Sequence, residues 1–493
     1  MQNSQVLSLF WQLFLHFFYN FINYEAIRPG KSHRKWERMK MKLKRIWEKI
    51  NISFWFLPCI IIIFGILLAF LFVHMDMRYK ISLPGFLGRF TFGQIEGARA
   101  VLSSIASSMI TIAGIIFSIT IVTLVLASSQ MGPRLLRNFI KSKLNQVVLG
   151  SYVGSFIYCL LILRVVSQIE GEAFVPNISV TFAILQAIGN IILLIIFINH
   201  VATSIQADNV VTELSKELDR KIGDLYPEDL GTGKAEVGLE EKPGSANSVN
   251  YTFEEILPAQ VSNYLESVEQ KSLMELAVEK ELLIRYDFQP GHYIARDTAF
   301  IKVCSQVKLE EKTIKDIYSC FNFANRRSPT QDPEFVISQI VEVAVRALSP
   351  GINDPFTVII CIDKLGAGIG KLTRKKFPSA YRYGHDDKLR IITKPSTFNG
   401  LMDAAFNQIR QYGKANPDVM IRLMDTFREI AEVVIEEDQK KCVLRHAEMV
   451  NRAGEKEFSE KNDIEVLNER FFDVVAKLNL TSGANKIEKI NLT

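Results

Sequence analysis

The sequence predicts an α-helical multi-pass membrane domain with four main spans, followed by a mostly helical α+β domain on the cytoplasmic side. Three observations carry this reading. Four long apolar stretches lie before Gln206 and none follows it. A hydrophobic content of 48% with a mean hydropathy of +0.12 is the average of a membrane part joined to a soluble part. The charges flanking the stretches also alternate between basic and acidic along the chain, as the positive-inside rule requires of a protein that crosses repeatedly. The 493 residues divide into an N-terminal apolar and basic segment (1–50), a transmembrane domain (51–204), a helix and flexible linker (205–250), a small β-containing module (251–310) and a mainly helical domain (311–493).

Residues 6–22 are apolar and Phe-rich but contain Gln12, His16 and Asn20. They lack the basic start and small-residue cleavage site of a signal peptide, so an interfacial or marginal span is expected. Residues 28–49 carry ten Lys and Arg against two Glu, with Trp36, Met39, Leu43, Ile46, Trp47 and Ile50 at helical spacing. This is a basic amphipathic pattern suited either to an anionic cytoplasmic leaflet or to an ordinary solvated juxtamembrane helix. It sets the orientation: 52–73 leaves the cytoplasm, 100–132 returns, 146–166 leaves and 180–200 returns. Arg134, Arg137, Lys141 and Lys143 then fall inside, and Glu170 and Glu172 fall outside.

The charge-free second span is the most distinctive. Ser104, Ser108, Thr111 and Ser118 share one face, with Ser103, Ser107 and Gly114 beside them. Two readings stand: a seam where small side chains let helix backbones approach, or a hydroxyl-lined path for a solute or ion at the axis of an oligomer. In the third span Gly150 and Gly154 form GxxxG, echoed by Ser151 and Ser155, and are expected to receive the small residues of the second span. Arg164 lies near the outer end, where it snorkels to the headgroups. In the fourth span Gln186 and Asn190 are one turn apart, with Asn199 and His200 at the cytoplasmic end. Interhelical hydrogen bonds are the simpler reading and an ion relay the sharper one.

The last span continues as a helix over 204–222, and 231–250 is a Gly, Lys, Glu and Ser mixture that reads as a linker. Residues 259–307 are β-rich, around a turn at Gln289, Pro290 and Gly291, with one helix near 273–278. Helical patterns follow at 313–323, 334–348, 355–372, 398–412 and 417–476, before a polar tail past Leu480.

Two stretches carry more than composition: ITIAGIIFSITIVTLVLASSQMGPRLLRNFI around the second span, and RRSPTQDPEFVISQIVEVAVRALSPGINDPFTVIICIDKL in the soluble part. Together they resemble the predicted bacterial membrane protein family of unknown function numbered 2254. The resemblance runs from the first span to FNQIRQYGKANPDVMIRLM. It implies a multi-span N-terminal part, a cytoplasmic C-terminal part and a place in the bacterial inner membrane, and it brings no established activity.

Read physically, Ser349, Pro350 and Gly351 stop one helix, and Asn353 or Asp354 caps the next, with Pro355 in its first turn. Asp332 before Pro333 repeats the device. Arg326, Arg327 and Arg346 either pair with these acids or form an anion site with a helix N-terminus. HExxH, P-loop, GxSxG and dinucleotide signatures are missing, so no enzyme and no cofactor are expected. His385, Asp386 and Asp387 read as a polar turn rather than a metal site. The six cysteines, scattered without a CxxC pair, suggest neither zinc nor a disulfide framework. A net charge of +5, locally concentrated, points to anionic lipid headgroups rather than nucleic acid. The leading expectation is a homo-oligomeric channel or transporter with a regulatory cytoplasmic domain. The alternative is a membrane-anchored scaffold or sensor.

Overall fold

The computed structural model describes residues 55–79, 95–131, 142–169, 172–204, 206–225 and 251–478. The segments at 6–22, 28–49 and 231–250, the tail past Leu480, and Arg134, Arg137 and Lys141 lie outside the described residues. The chain forms two compact units, residues 1–120 with 140–197, and 121–139 with 198–493.

The four spans are α1 (Phe56–Tyr79), α2 (Ile95–Met131), α3 (Lys143–Val165) and α4 (Asn177–Ser204), each long and apolar enough to cross a bilayer. A short antiparallel ribbon, β1 (Ser167–Ile169) with β2 (Glu172–Phe174), joins α3 to α4. Gly150 and Gly154 do sit at a helix contact, but with α1 and not with the second span. A Cβ on Gly150 would lie 2.8 Å from Pro58 Cα, and one on Gly154 would lie 3.6 Å from the Ile61 carbonyl oxygen. The reason is mutual smallness. α1 offers Gly65, whose own Cβ position is 3.4 Å from the Gly154 carbonyl oxygen, so the two backbones close on each other. α2 meets the bundle through a different face, and its Ala98, Leu102 and Ala106 share a buried cluster with Tyr158, Cys159 and Ile162 of α3.

α4 does not run straight on into the soluble part. The helix breaks near Gln206, whose amide donates to the Thr203 carbonyl at 3.4 Å, and restarts as α5 (Ala207–Leu225). The side chain of Asn209 donates to the same carbonyl at 2.8 Å. α5 is amphipathic: Val210, Val211, Leu214, Leu218 and Ile222 are buried on one face.

The β-module comprises β3 (Phe253–Pro258), β4 (Asn263–Val268), α6 (Gln270–Glu279), β5 (Leu283–Tyr286), β6 (Tyr293–Ile294), β7 (Ala299–Ser305), α7 (Glu311–Ser319) and β8 (Phe321–Ala324). The helical body follows as α8 (Pro333–Ala347), α9 (Pro355–Leu372), the hairpin β9 (Tyr381–Tyr383) and β10 (Leu389–Thr393), then α10 (Phe398–Gly413), α11 (Pro417–Val433), α12 (Glu437–Glu457) and α13 (Lys461–Leu478). The sheets are ordered β3-β7-β5-β10-β9 and β6-β4-β8. The module therefore does not close at residue 310. β8 supplies an edge to the small sheet, and β10 returns after α8 and α9 to pair in parallel with β5, which the polar YRYGHDDK turn concealed. The pattern over 313–323 splits into α7 and β8, and that over 417–476 into three helices. Ile391 of β10 joins the module's core with Leu265, Ile284 and Val303, while α5 and α8–α13 share a separate, larger core.

Three helices of the body begin with the same device. Asp332, Asp354 and Asn416 each accept a hydrogen bond from the amide three residues on, at 3.1, 3.1 and 3.2 Å, with Pro in the first turn. Each such cap contributes about 1 kcal/mol, and the prolines forfeit no helical hydrogen bond there.

The α1–α3 contact makes the first prediction. Gly150→Leu should lower the thermal midpoint of the detergent-solubilised chain through an overpacking cost of about 1–3 kcal/mol, whereas Gly154→Ala, placed in ordinary van der Waals contact, should leave it nearly unchanged. Equal midpoints for the two variants would refute the contact.

Candidate functional site

In the membrane unit, two buried polar side chains each gather several hydrogen bonds among the described residues. Asn190 of α4, 1% exposed, donates from Nδ2 to Ser155 Oγ at 2.7 Å and toward Met109 Sδ at 3.3 Å, and its Oδ1 accepts from Ser151 Oγ at 2.6 Å. Its backbone carbonyl accepts from Tyr152 OH at 2.6 Å. One amide thus joins α2, α3 and α4, and its hydrogen bonds are all structural. Gln186 does not join it; its Oε1 is buried without a hydrogen-bond partner. The second is Asp76, 6% exposed, which the sequence reading missed because it stands just past the apolar run of the first span. Its carboxylate accepts from the amides of Ile178 and Ser179, both at 3.0 Å, and from Ser179 Oγ at 2.7 Å. An acid on α1 therefore caps α4, meeting both the orphan amides and the positive end of the helix dipole.

The hydroxyl-bearing stripe of α2 lies elsewhere. Ser104, Ser108, Thr111, Gly114 and Ser118 are all exposed on the single chain, while Ala106, Met109, Ala113 and Ile116 on the opposite side are buried. The stripe is not packed against Gly150 and Gly154. Ser108 Oγ donates to the Ser104 carbonyl at 2.8 Å and Thr111 Oγ1 to the Ser107 carbonyl at 2.7 Å, so these hydroxyl protons are satisfied within the helix. A Cβ on Gly114 would meet nothing within 4 Å.

In the soluble unit the residues of the second signature separate into two groups. Arg327 pairs with Asp332 through Nε, and through Nη2 at 3.0 Å, and lies 3.5 Å from Glu334. The pair is wedged against the turn that precedes β6: Gly291 has φ +95, and a Cβ there would collide with the Asp332 carboxylate and sit 2.8 Å from Arg327 Nε. Burial acts to lower the Arg327 pKa, but the hydrogen bond and charge of Asp332, with Glu334, raise it on balance. Burial raises that of Glu334, as does the charge of Asp332. Burial lowers that of neighbouring His292, as does Arg327. This is an internal clamp between the β-module and the start of α8, not an open anion site. Arg326 is exposed beside it.

Asn353 and Asp354 lie at the other end of α8, whose 15 residues span roughly 22 Å. Asp354 caps α9 and accepts from Thr357 Oγ1 at 2.6 Å, Asn353 takes φ 48 in the turn, and Arg346 is half-buried in the last turn of α8. Asp386 of the HDD turn is tied to Arg390 at 2.6 Å. An open cavity of about 610 Å³ lies between α5, α9 and α11. Asp219 there pairs with Lys371 at 2.6 Å and Glu429 with Arg422 at 3.3 Å, and Arg374 and Lys375 also line it.

Four apolar helices joined to a mostly helical domain with two small sheets define the class: an integral membrane protein with a sizeable C-terminal domain. The chain belongs to the family described as Predicted membrane protein (DUF2254), whose model matches residues 51–429. Uncharacterised proteins of Mycobacterium bovis and Mycobacterium tuberculosis are each 30% identical to it over 378 residues, covering 74% of this chain and 70% of theirs. No solved structure matches.

Two predictions follow from the buried polar groups of the soluble unit. Asp332→Ala removes both an ion-pair partner and a helix cap, and should destabilise the chain by about 2–4 kcal/mol, read as a fall in the thermal midpoint. His446 of α12, 1% exposed and 3.0 Å from Asp403, has its pKa pushed down to about 4, chiefly by burial and partly by Arg445, against the pull of Asp403. The unfolded state then binds the extra proton first. Stability is full above the unfolded value of about 6.5 and is lost as pH falls toward 4, by an amount on the order of 3 kcal/mol. His446→Gln should flatten the midpoint-against-pH curve over that window; an unchanged slope would contradict the assignment.

Proposed function

We propose that this is a homo-oligomeric inner-membrane protein in which the hydroxyl-bearing faces of α2 meet between copies and line a solute or ion path, regulated by a cytoplasmic C-terminal domain. The observation that carries the reading is the outward placement of Ser104, Ser108, Thr111, Gly114 and Ser118 on the single chain. A face turned only to lipid gains nothing from small polar side chains, whereas a neighbouring helix or a water-filled axis does. The sidedness rests on Lys143 and the basic residues before it, set against Glu170 and Glu172 between α3 and α4. In this reading the protein carries out no chemistry, binds no nucleic acid, and has the bilayer, with its anionic headgroups, and its own copies as partners.

A specific observation favours a second reading. Because Ser108 and Thr111 bond back to their own helix, their face needs no water, and it serves equally as a dry seam in a membrane-anchored scaffold or sensor. Cysteines distinguish the two. With Cys59 and Cys159 replaced by Ser, Ser108→Cys, Thr111→Cys and Ser118→Cys should each cross-link between copies in native membranes. A path predicts that the same thiols react with small water-soluble reagents, while a control at buried Ile116 stays protected under both readings. Protection along the whole stripe, with no flux from purified protein in liposomes, leaves the scaffold reading. Gly114→Leu should lower the oligomer fraction without disturbing the single chain, since the added bulk meets nothing within it.

The topology is tested separately. Reporter fusions placed after Glu172 and after Asp208 should report opposite sides of the membrane, and a shared side would overturn it.

A further inference from the structure

The cavity between α5, α9 and α11, about 610 Å³ in volume, is of the size that holds small molecules, roughly 300–1,000 Å³. All three helices belong to one compact unit, and they run parallel. Leu218 and Asp219 of α5 meet Gly368 and Lys371 of α9, while Gly366 and Gly370 of α9 meet Thr426 and Val433 of α11. Their C-terminal turns therefore come together at one end, where Thr373 Oγ1 donates to the Val433 carbonyl at 3.4 Å. The cavity lies between those turns.

α9 carries two kinds of glycine. Gly366 and Gly368 are dictated by packing, since a Cβ on the first would collide with Thr426 Cγ2 and one on the second would lie 2.7 Å from Leu218 Cδ2. Gly370 is not, and neither is Gly223 of α5. Among the described residues, a Cβ on Gly370 would meet only Val433 Cγ2, at 3.9 Å, and one on Gly223 nothing within 4 Å. A glycine within a helix costs about 0.5–1 kcal/mol relative to alanine, and both of these line the cavity. What their missing side chains provide is the space itself.

The lining combines an apolar surface with a cation. Ile222 and Ile430, 2% and 1% exposed, and half-buried Val433 give the apolar part. Both carboxylates of the lining are engaged, Asp219 by Lys371 and Glu429 by Arg422. Arg374 is exposed and makes no ion pair among the described residues. The negative ends of the helix dipoles favour a basic last turn in α9, but they do not occupy the guanidinium fork, which matches a carboxylate or phosphate through two parallel hydrogen bonds. A cationic ligand would have to break an ion pair to reach a carboxylate, and a neutral apolar one would leave the guanidinium unmet. An anion with an apolar body meets both surfaces.

We propose that this cavity binds a small organic anion, with its apolar body against Ile222, Ile430 and Val433 in the space left by Gly223 and Gly370, and its carboxylate or phosphate on Arg374. Bound there it joins α5 to α9 and α11, so the thermal midpoint of the chain rises with its concentration. The inference rests on neither the path nor the sidedness argued above.

The probe is 1-naphthyl phosphate, an aromatic body carrying a phosphate. Equilibrium dialysis measures its binding to the full chain in nanodiscs of phosphatidylcholine, less its binding to empty nanodiscs. The chain should bind it saturably and with a raised midpoint, whereas inorganic phosphate, lacking the apolar body, should compete about tenfold more weakly or worse. Arg374→Gln should weaken binding about fivefold or more. Lys376→Gln, exposed beside it but outside the lining, should leave binding unchanged. Gly370→Leu and, independently, Gly223→Leu should each weaken it about tenfold or more by filling the cavity. Arg374→Gln alters only an exposed side chain, so it tests the anion even where a leucine variant lowers the midpoint without probe. Binding no greater than that to empty nanodiscs would overturn the proposal, as would binding that Arg374→Gln or both leucine variants leave intact. Binding that appears only after Glu228→Gln together with Asp229→Gln, acids that closely follow α5 in the sequence, would overturn it in favour of the chain's own carboxylates.

Discussion

Hydrocarbon supplies no hydrogen bonds, and the membrane unit is arranged around that constraint. Asn190 has both its side-chain groups and its backbone carbonyl satisfied by α3, with Met109 of α2 as a further neighbour. Asp76 takes up two amides at the start of α4 that no residue of that helix could satisfy. Arg99 donates to the Val166 carbonyl at 2.8 Å, meeting the end of α3 from α2. Each of these bonds links different helices, so satisfying the polar group also fixes how the spans sit against one another. The apolar contacts then add packing between surfaces already brought together.

α2 shows how the same constraint yields two different faces on one helix. Its inner side is built largely of alanines with Leu102, Met109 and Ile116, residues that let α3 and α4 approach, with Met109 Sδ accepting from Asn190. Its outer side carries hydroxyls that bond backward to their own carbonyls. Such a hydroxyl costs little in lipid, but it also gives up the dispersion contacts that a leucine would make there. The outer face is therefore tolerated by hydrocarbon and poorly suited to it, and a second surface of matching smallness is the environment in which it loses least.

The spans were legible because their signal is additive: length and hydropathy accumulate over some twenty residues and need no partner to be recognised. What the sequence left open is which face meets which helix. The GxxxG of α3 announced a close contact, yet α1 and α2 both contain small residues, and only the placement of Pro58 and Gly65 assigns the contact to α1. In the soluble part, Asp332–Pro333 and Asp354–Pro355 were readable as caps because capping is local. The pairing of β10 with β5 was not, since more than a hundred residues separate the partners and the hairpin that carries β10 is short and half polar. Arg327 with Asp332 could be anticipated from their five-residue spacing. Their dependence on Gly291 could not, for that glycine is needed only once the turn before β6 has been brought against the start of α8.

The two pieces of the soluble signature acquire a common meaning through α8. RRSPTQDP holds its first turn to the β-module through Arg327, Asp332 and Gly291, and SPGINDP closes its far end and starts α9. Ten of its fifteen residues are buried, α5 packs along it, and sliding it by one turn would pull that whole set out of register with its neighbours at a cost far above thermal energy. A helix so confined moves as a body or not at all. Whatever displaces the β-module therefore displaces the turn at Ile352–Phe356 with it, roughly 22 Å away. The arrangement ties the small sheets to the start of α9 without requiring any change inside the helix that connects them.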